Sequence, residues 1–232
     1  MSSQLRPSKL RIEHLATIEP QSKNQQQVFE SFEEGYHLSL SGSAGTGKTF
    51  IAMYLALKEV LTKESNYNKV VIVRSAVPTR DMGFLPGDQE EKEAAYMIPY
   101  RVIVQDLFSD KDAWNKLQTS KNIEFLTTSF IRGITINDAI VIVDEAQNCN
   151  YHELCSVITR LGPECRFIMC GDYYQSDFTR QNEKDGIKDF LEILGHMKYF
   201  DCIEFKWEDI IRSGLVRDFI MTKEMVESGK LI

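Results

Sequence analysis

Eight residues near the amino-terminal end constrain the fold of this chain more than any other stretch. The segment Gly42–Thr49 reads GSAGTGKT and matches the pattern G-x-x-x-x-G-K-[ST] at every fixed position. Its glycines let the backbone turn N–H groups inward, where they hold phosphate oxygens. Loops of this kind connect a β-strand to a helix, so the pattern predicts an α/β fold built around a phosphate-binding site.

The residues on both sides of the loop favour this interpretation over a chance glycine-rich turn. Tyr36–Ser41 predicts a strand, and the apolar run Phe50–Leu57 predicts a buried helix that begins at Lys48. In such loops the lysine contacts the β- and γ-phosphates, and the hydroxyl of Thr49 binds magnesium. The predicted nucleotide-binding residues are Gly42, Ser43, Ala44, Gly45, Thr46, Gly47, Lys48 and Thr49.

The composition favours one α/β domain without a membrane segment. The chain has 232 residues, of which 43% are hydrophobic, which is enough for one core and short for two nucleotide-binding lobes. Residues 1–20 lack the apolar segment of a signal peptide, and the longest aliphatic run, Ala139–Val143, is too short to span a membrane. Five cysteines without a C-x-x-C pair suit free thiols in a reducing compartment. We therefore expect a cytoplasmic protein.

Segments typical of strands and helices alternate along the chain. Further strands are predicted at Lys69–Val73, Ile123–Thr127, Ala139–Val143, Arg166–Cys170 and Phe200–Phe205. Helices are predicted at Glu90–Phe108 with an interruption near Pro99, and at Tyr151–Leu161, Gly186–Leu194 and Leu215–Ser228. This alternation predicts a single RecA-like P-loop domain, a mostly parallel sheet with helices on both faces. We assign residues 20–232 to this domain and residues 1–19 to an amino-terminal extension.

Polar residues follow two of the predicted buried strands, where ligands of parallel sheets bind. Asp144 and Glu145 directly follow Ala139–Val143, which is the Walker-B position. Asp144 is expected to hold the magnesium ion and Glu145 to polarise the attacking water. The alternative for Asp144 is a helix N-cap, a position that aspartate favours. Gln175, in the segment GDYYQ, is a candidate for a hydrogen bond to the γ-phosphate or the water.

The order of these motifs is similar to that of a known family. The phosphate loop, DEAQ at 144–147 and GDYYQ at 171–175 resemble the superfamily-one helicase core. More closely, the chain resembles the PhoH family, the phosphate-starvation-inducible ATPases of bacteria and many bacteriophages. The resemblance extends from about Pro20 to Phe219. It also rests on PQSKNQ at 20–25, GFLPGD at 83–88, EK at 91–92, IRG at 131–133, VDEAQN at 143–148, TRLG at 159–162 and DIIR at 209–212.

Two positions depart from the family pattern. The family usually has proline after the arginine of its second strand, where this chain has Ser75 after Arg74. It usually has histidine and proline after the arginine of the last motif, where Ser213 and Gly214 follow Arg212 in this chain. The resemblance further implies a standalone core, as phages often encode, without the RNA-binding or nuclease domains that some members carry.

The resemblance implies an ATPase with a helicase-like core and with ATP and Mg²⁺ as ligands. It also implies that Gln25 reads the adenine edge, whereas the alternative is an ordinary solvated residue before a helix. Three classes of function stay open: a motor on RNA or single-stranded DNA, a nucleotide-controlled switch or scaffold, and a small-molecule kinase. DEAQ and GDYYQ favour the first two, and the sequence contains no [NT]-K-x-D motif of a GTPase.

Phosphoryl transfer needs positive charge on the γ-phosphate beyond Lys48 and magnesium, typically from an arginine. Two-lobed helicases take this arginine from a second lobe, and the sequence predicts only one lobe. We therefore expect the arginine to come from a neighbouring copy in a homo-oligomer, most simply a hexameric ring. The first candidate is Arg212 and the second is Arg160, and the remaining candidates are Arg132 and Arg74. For each, the alternative is a surface salt bridge.

Nucleic acid is the second expected partner. Cationic and aromatic side chains that would form a path for RNA or single-stranded DNA are Arg74, Arg80, Phe84, Arg132, Tyr173 and Tyr174. Ordinary packing is the alternative for the aromatic residues. The net charge of −7 weighs against strong non-specific binding of nucleic acid.

Overall fold

A six-stranded sheet forms the centre of the computed structural model, which describes residues 9–75, 89–172 and 181–229. The strands are β1 His37–Gly42, β2 Lys69–Arg74, β3 Ile123–Thr127, β4 Ala139–Val143, β5 Cys165–Cys170 and β6 Phe200–Phe205. They lie in the order β3-β2-β4-β5-β1-β6, and every pairing is parallel. The predicted α/β fold with a parallel sheet is confirmed.

Seven helices surround this sheet within the described ranges. They are α1 Lys23–Glu33, α2 Lys48–Val60, α3 Gln89–Phe108, α4 Ala113–Thr119, α5 Tyr151–Ile158, α6 Gln181–His196 and α7 Gly214–Glu227. The predicted interruption of α3 near Pro99 is wrong, since Pro99 lies inside a continuous helix. The sequence pattern does not indicate α1 or α4, because α1 buries only four of its residues and α4 has only seven residues.

Helices pack on both faces of the sheet because its central strands are apolar on both sides. Along β4, Ile140 and Ile142 belong to one buried cluster, whereas Val141 and Val143 belong to the other. Alternate side chains of a strand point to opposite faces, so a strand with this composition requires cover on each face. Helix α2 covers the first face and is itself almost entirely buried from Ile51 to Leu57.

The described part of the amino-terminal segment packs on the domain. Leu10 is buried in the core, and the backbone N–H of Ala16 donates to the carbonyl of Leu107 at 2.8 Å. Residues 9–19 therefore form part of the packed structure, although the sequence analysis assigned them to an extension. Among the described helices, none combines the length and the apolar character that crossing a membrane requires.

The strand order determines where the functional side chains meet. Strands β4, β5 and β1 are neighbours, so the segments that follow them leave the same edge of the sheet side by side. The phosphate loop follows β1, Asp144 follows β4, and Gly171 follows β5. Ligands of open parallel sheets bind at this carboxyl edge.

Candidate nucleotide-binding site

The carboxyl edge of the sheet holds a cleft of about 500 Å³. Its walls come from the phosphate loop, the segments after β4 and β5, one side of α3, and one arginine. The lining residues are Ala44, Gly45, Thr46, Gly47, Lys48, Thr49, Phe50, Val102, Ile103, Asp106, Asp144, Glu145, Gln147, Cys170, Gly171, Asp172 and Arg212. Of the predicted phosphate-loop residues, Gly42 and Ser43 are not among these lining residues.

Gly42 is required at its position for a steric reason. Its φ is +110°, and a Cβ atom there would lie 2.0 Å from the carbonyl oxygen of Phe205. The backbone of β6 therefore approaches the start of the loop as closely as a glycine allows. Gly47 precedes α2 with a φ of +84°, which directs the loop into the helix that begins at Lys48.

The ammonium group of Lys48 lies inside the phosphate loop. Its Nζ donates to the carbonyl oxygens of Gly42 at 2.8 Å and Ser43 at 2.7 Å. Burial lowers the pKa of Lys48, and the negative charge of Asp172 opposes that shift. The side chain is therefore held by neutral carbonyls at the point where a phosphate would present stronger, charged acceptors.

Thr49 and Asp144 form a hydrogen-bonded pair at the floor of the cleft. The hydroxyl of Thr49 donates to Asp144 Oδ1 at 2.7 Å, and the hydroxyl of Tyr100 donates to Asp144 Oδ2 at 2.8 Å. Burial raises the pKa of Asp144, and the charge of Glu145 raises it further, whereas these two hydrogen bonds lower it. A hydroxyl beside a carboxylate is the oxygen donor set that Mg²⁺ prefers, so the residues fit the predicted ion.

The N-cap alternative for Asp144 is wrong. The short 3₁₀ helix that follows spans Ala146–Asn148, and the residue that precedes it is Glu145. Asp144 accepts its hydrogen bonds from side chains of α2 and α3 instead.

Glu145 occupies a strained backbone conformation beside the cleft. Its φ of 52° and ψ of 42° lie in the left-handed region, which non-glycine residues rarely adopt. The side-chain Nε2 of Gln147 donates to Glu145 Oε2 at 2.6 Å. The Oε1 of Gln147 accepts from the backbone N–H of Asp172 at 2.9 Å. Gln147 thus connects the segment after β4 to the segment after β5. Gln147 is the last residue of the DEAQ motif, but the sequence alone indicates no role for it.

Gln25 is buried and contacts the phosphate loop from behind. It lies on α1 with only 2% of its surface exposed, so the alternative of a solvated residue before a helix is wrong. Its Nε2 donates to the carbonyl of Thr46 at 3.0 Å, and its Oε1 accepts from the N–H of Gln21 at 2.7 Å. These contacts hold α1 against the loop, and the adenine-reading role of Gln25 stays a prediction.

Arg212 lies against the phosphate loop of its own chain. A Cβ atom on Gly45 would be 2.9 Å from Cγ of Arg212, and the N–H of Ile211 donates to the carbonyl of Gly45 at 3.2 Å. Arg212 therefore needs no neighbouring copy to bring it next to a phosphate loop, and its expected role in trans stays a prediction. Arg212 lines the cleft in cis.

The other candidate arginines lie outside the lining of the cleft. Arg160 follows α5, and its carbonyl accepts from the N–H of Ile136 at 2.9 Å, near the residues where β4 begins. It therefore lies at the opposite edge of the sheet from the cleft. Arg132 is exposed, and the guanidinium of Arg74 stacks over Tyr96 with 5.3 Å to the ring centroid. Several predicted residues lie outside the described ranges, namely Gln175, Tyr173, Tyr174, Arg80 and Phe84.

A carboxylate from α7 supports the phosphate loop, and no sequence motif indicated it. Glu224 Oε2 accepts from the hydroxyl of Ser43 at 3.0 Å and from the indole N–H of Trp207 at 2.5 Å. Ile220 of the same helix lies next to Gly45. Helix α7 has no buried residue of its own, and its Ile220 and Glu224 both contact the phosphate loop.

The comparison with known families identifies the family of this chain. A model of the PhoH-like protein family matches residues 17–224, which include the phosphate loop, DEAQ and DIIR. This chain belongs to the PhoH family. The PhoH assignment confirms the resemblance inferred from the ordered motifs.

Curated PhoH-like relatives come from several bacteria. The protein from Mycobacterium leprae is 31% identical over 205 residues, which are 88% of this chain and 58% of that protein. The protein from Bacillus subtilis is 34% identical over 180 residues, which are 77% of this chain and 55% of that protein. The chain thus spans a little over half the length of these PhoH relatives.

Two solved helicase structures are also similar to this chain. The helicase domain of Hef from Pyrococcus furiosus aligns with a TM-score of 0.46 and 14% identity, over 82% of this chain and 39% of that one. The Pif1 helicase from Candida albicans aligns with a TM-score of 0.42 and 16% identity, over 90% of this chain and 44% of that one.

Proposed function

We propose that this PhoH-family chain binds ATP with Mg²⁺ and hydrolyses the γ-phosphate. The observation that carries the proposal is the arrangement of three side chains at one end of the phosphate loop. Lys48 lies inside the loop, and the next residue, Thr49, is 2.7 Å from Asp144. This places a cation for phosphate oxygens next to oxygen donors for a divalent ion.

Each group of the cleft has a defined task in this proposal. The loop N–H groups and Lys48 bind the phosphates, and Arg212 adds positive charge from the same chain. Glu145 accepts a proton from the attacking water, and Gln147 holds its carboxylate in place. When bound, Mg²⁺ neutralises charge on the phosphate oxygens.

We further propose that hydrolysis is coupled to RNA or single-stranded DNA. The support is the motif order of the phosphate loop, DEAQ and GDYYQ, which resembles a helicase core. The alternatives are a switch without translocation and a small-molecule kinase, which the ATPase assay described next distinguishes from a motor.

The test is the rate of phosphate release from ATP with and without homopolymer RNA or single-stranded DNA, at low and high salt. We expect Mg²⁺-dependent release and an increase with nucleic acid that falls as salt rises, because phosphate contacts are screened. Indifference to both polymers would favour the switch. Transfer of the phosphate to a metabolite would favour the kinase, and the absence of any ATP turnover would contradict the proposed function.

We also propose a homo-oligomer, most simply a hexameric ring. Helix α7, whose Ile220 lies next to Gly45 of the phosphate loop, exposes 81% of Leu215 and 66% of Phe219, and α3 exposes 51% of Val102 at the cleft. Apolar side chains on two helices around one cleft are typical of a surface that another protein covers. In a head-to-tail contact the neighbour presents its opposite edge, where Arg160 lies.

A mixing experiment distinguishes arginines that act in trans from those that act in cis. Arg160→Ala and Lys48→Ala are each expected to be nearly inactive, and their mixture is expected to regain activity. A missing arginine finger in other phosphate-loop enzymes costs ~10³–10⁵ in turnover. Arg212→Ala mixed with Lys48→Ala is the matched control and should stay inactive, because both residues serve the same cleft. A monomer with full activity at all concentrations would contradict the oligomer.

A further inference from the structure

Tyr100 is a buried polar residue for which the sequence motifs provide no role. It lies on α3, its side chain is completely buried, and its ring packs against Phe125 with centroids 5.8 Å apart. Its hydroxyl donates to Asp144 Oδ2 at 2.8 Å. A buried tyrosine hydroxyl usually has one partner, and here that partner is the Walker-B carboxylate.

The two oxygens of Asp144 have different donors. Thr49 donates to Oδ1 at the end of the phosphate loop, whereas Tyr100 of α3 donates to Oδ2. A carboxylate with one bonded oxygen can rotate about its side-chain torsions, but one with a separate donor on each oxygen has a defined orientation. Tyr100 is not among the described residues that line the cleft, and its hydroxyl reaches the site through Asp144.

We propose that Tyr100 is a positioning residue for the magnesium site. Its hydroxyl holds Oδ2 of Asp144 and thereby keeps Oδ1 directed toward Thr49. The inference rests on the binding of Mg²⁺ and ATP in the proposed function, and it does not depend on hydrolysis or on nucleic acid. Partners that orient metal ligands typically contribute roughly 10–100-fold to metal affinity or activity.

The variant Tyr100→Phe removes one oxygen and keeps the ring that packs on Phe125. We expect the Mg²⁺ concentration for half-maximal binding of a fluorescent ATP analogue to rise about 10–100-fold. Affinity for the same analogue in EDTA is expected to stay at the wild-type value, because Lys48 and the loop are unchanged. Tyr54→Phe is the matched control, since Tyr54 is a buried tyrosine of α2 whose ring contacts Phe29.

The titration separates the relevant outcomes. A wild-type Mg²⁺ requirement in a folded Tyr100→Phe protein would overturn the positioning role, and so would an equal loss of affinity with Mg²⁺ and with EDTA. A wild-type protein that binds no ATP analogue at all would instead overturn the proposed function. A double mutant tests whether Tyr100 acts through Asp144. In the Asp144→Asn background, adding Tyr100→Phe should change the Mg²⁺ requirement no further.

A second measurement keeps the proposal testable should Tyr100→Phe not fold. Site-specific 3-fluorotyrosine at position 100 retains both the ring and the hydroxyl. We expect its ¹⁹F resonance to shift when Mg²⁺ joins the bound nucleotide and to stay in place when nucleotide binds in EDTA. A resonance that does not respond to Mg²⁺ would contradict the role of Tyr100.

Discussion

Replacing Glu145 by glutamine is expected to reduce ATP turnover by about 10²–10⁴-fold, the usual contribution of a general base. The amide keeps the size of the side chain but does not accept the proton of the attacking water. Binding of ATP with Mg²⁺ should remain within a factor of about two of wild type, because Lys48, Thr49 and Asp144 are untouched. Single-turnover phosphate release and equilibrium nucleotide binding measure the two quantities separately.

The control for this variant is Glu192→Gln. Glu192 is exposed on α6, and its replacement by glutamine makes the same change of charge away from the cleft. We expect its turnover to equal that of the wild type. Unchanged hydrolysis in Glu145→Gln, or an equal decrease in the control, would contradict the role given to Glu145.

Replacing Lys48 by alanine is expected to weaken ATP binding by about 10²-fold or more. Hydrogen bonds to charged groups contribute about 1.5–3 kcal/mol each, and the ammonium group of Lys48 is placed to make more than one to phosphate oxygens. Its two carbonyl partners at 2.7 and 2.8 Å are neutral, so phosphate replaces them with stronger acceptors. Calorimetric titration with ATP and Mg²⁺ measures the change.

Lys58→Ala provides the matched control for Lys48→Ala. Both lysines lie on α2, but Lys58 is in its last turn, far from the phosphate loop. We expect the affinity of Lys58→Ala for ATP to match the wild type. If Lys48→Ala binds ATP as the wild type does, the phosphate loop is not the binding site of the triphosphate.

The strands were the most predictable part of this molecule. Ile123–Thr127, Ala139–Val143 and Phe200–Phe205 occur with the bounds that the sequence predicts. A continuous apolar run identifies β4, because a strand that is covered on both faces has apolar side chains at every position. The phosphate loop and the Walker-B pair were recognisable for a related reason, since their chemistry depends on residue type and local spacing.

Contacts between distant segments could not be predicted from the sequence. Tyr100 reaches Asp144 across 44 positions of the chain, and Glu224 reaches Ser43 across 181. Neither residue lies in a short motif, and a tyrosine or glutamate in a helix is ordinarily a packing or surface residue. The position of Arg212 depends on the path of the chain after β6, which brings residue 211 onto the loop.

The central claim is that the cleft at the carboxyl edge holds the triphosphate with its metal ion. The most direct test is anomalous diffraction from crystals grown with Mn²⁺ and a non-hydrolysable ATP analogue. We expect one anomalous peak beside Thr49 and Asp144, with the triphosphate in the loop Gly42–Thr49. An analogue bound elsewhere on the chain, or a metal peak away from Thr49 and Asp144, would contradict the account.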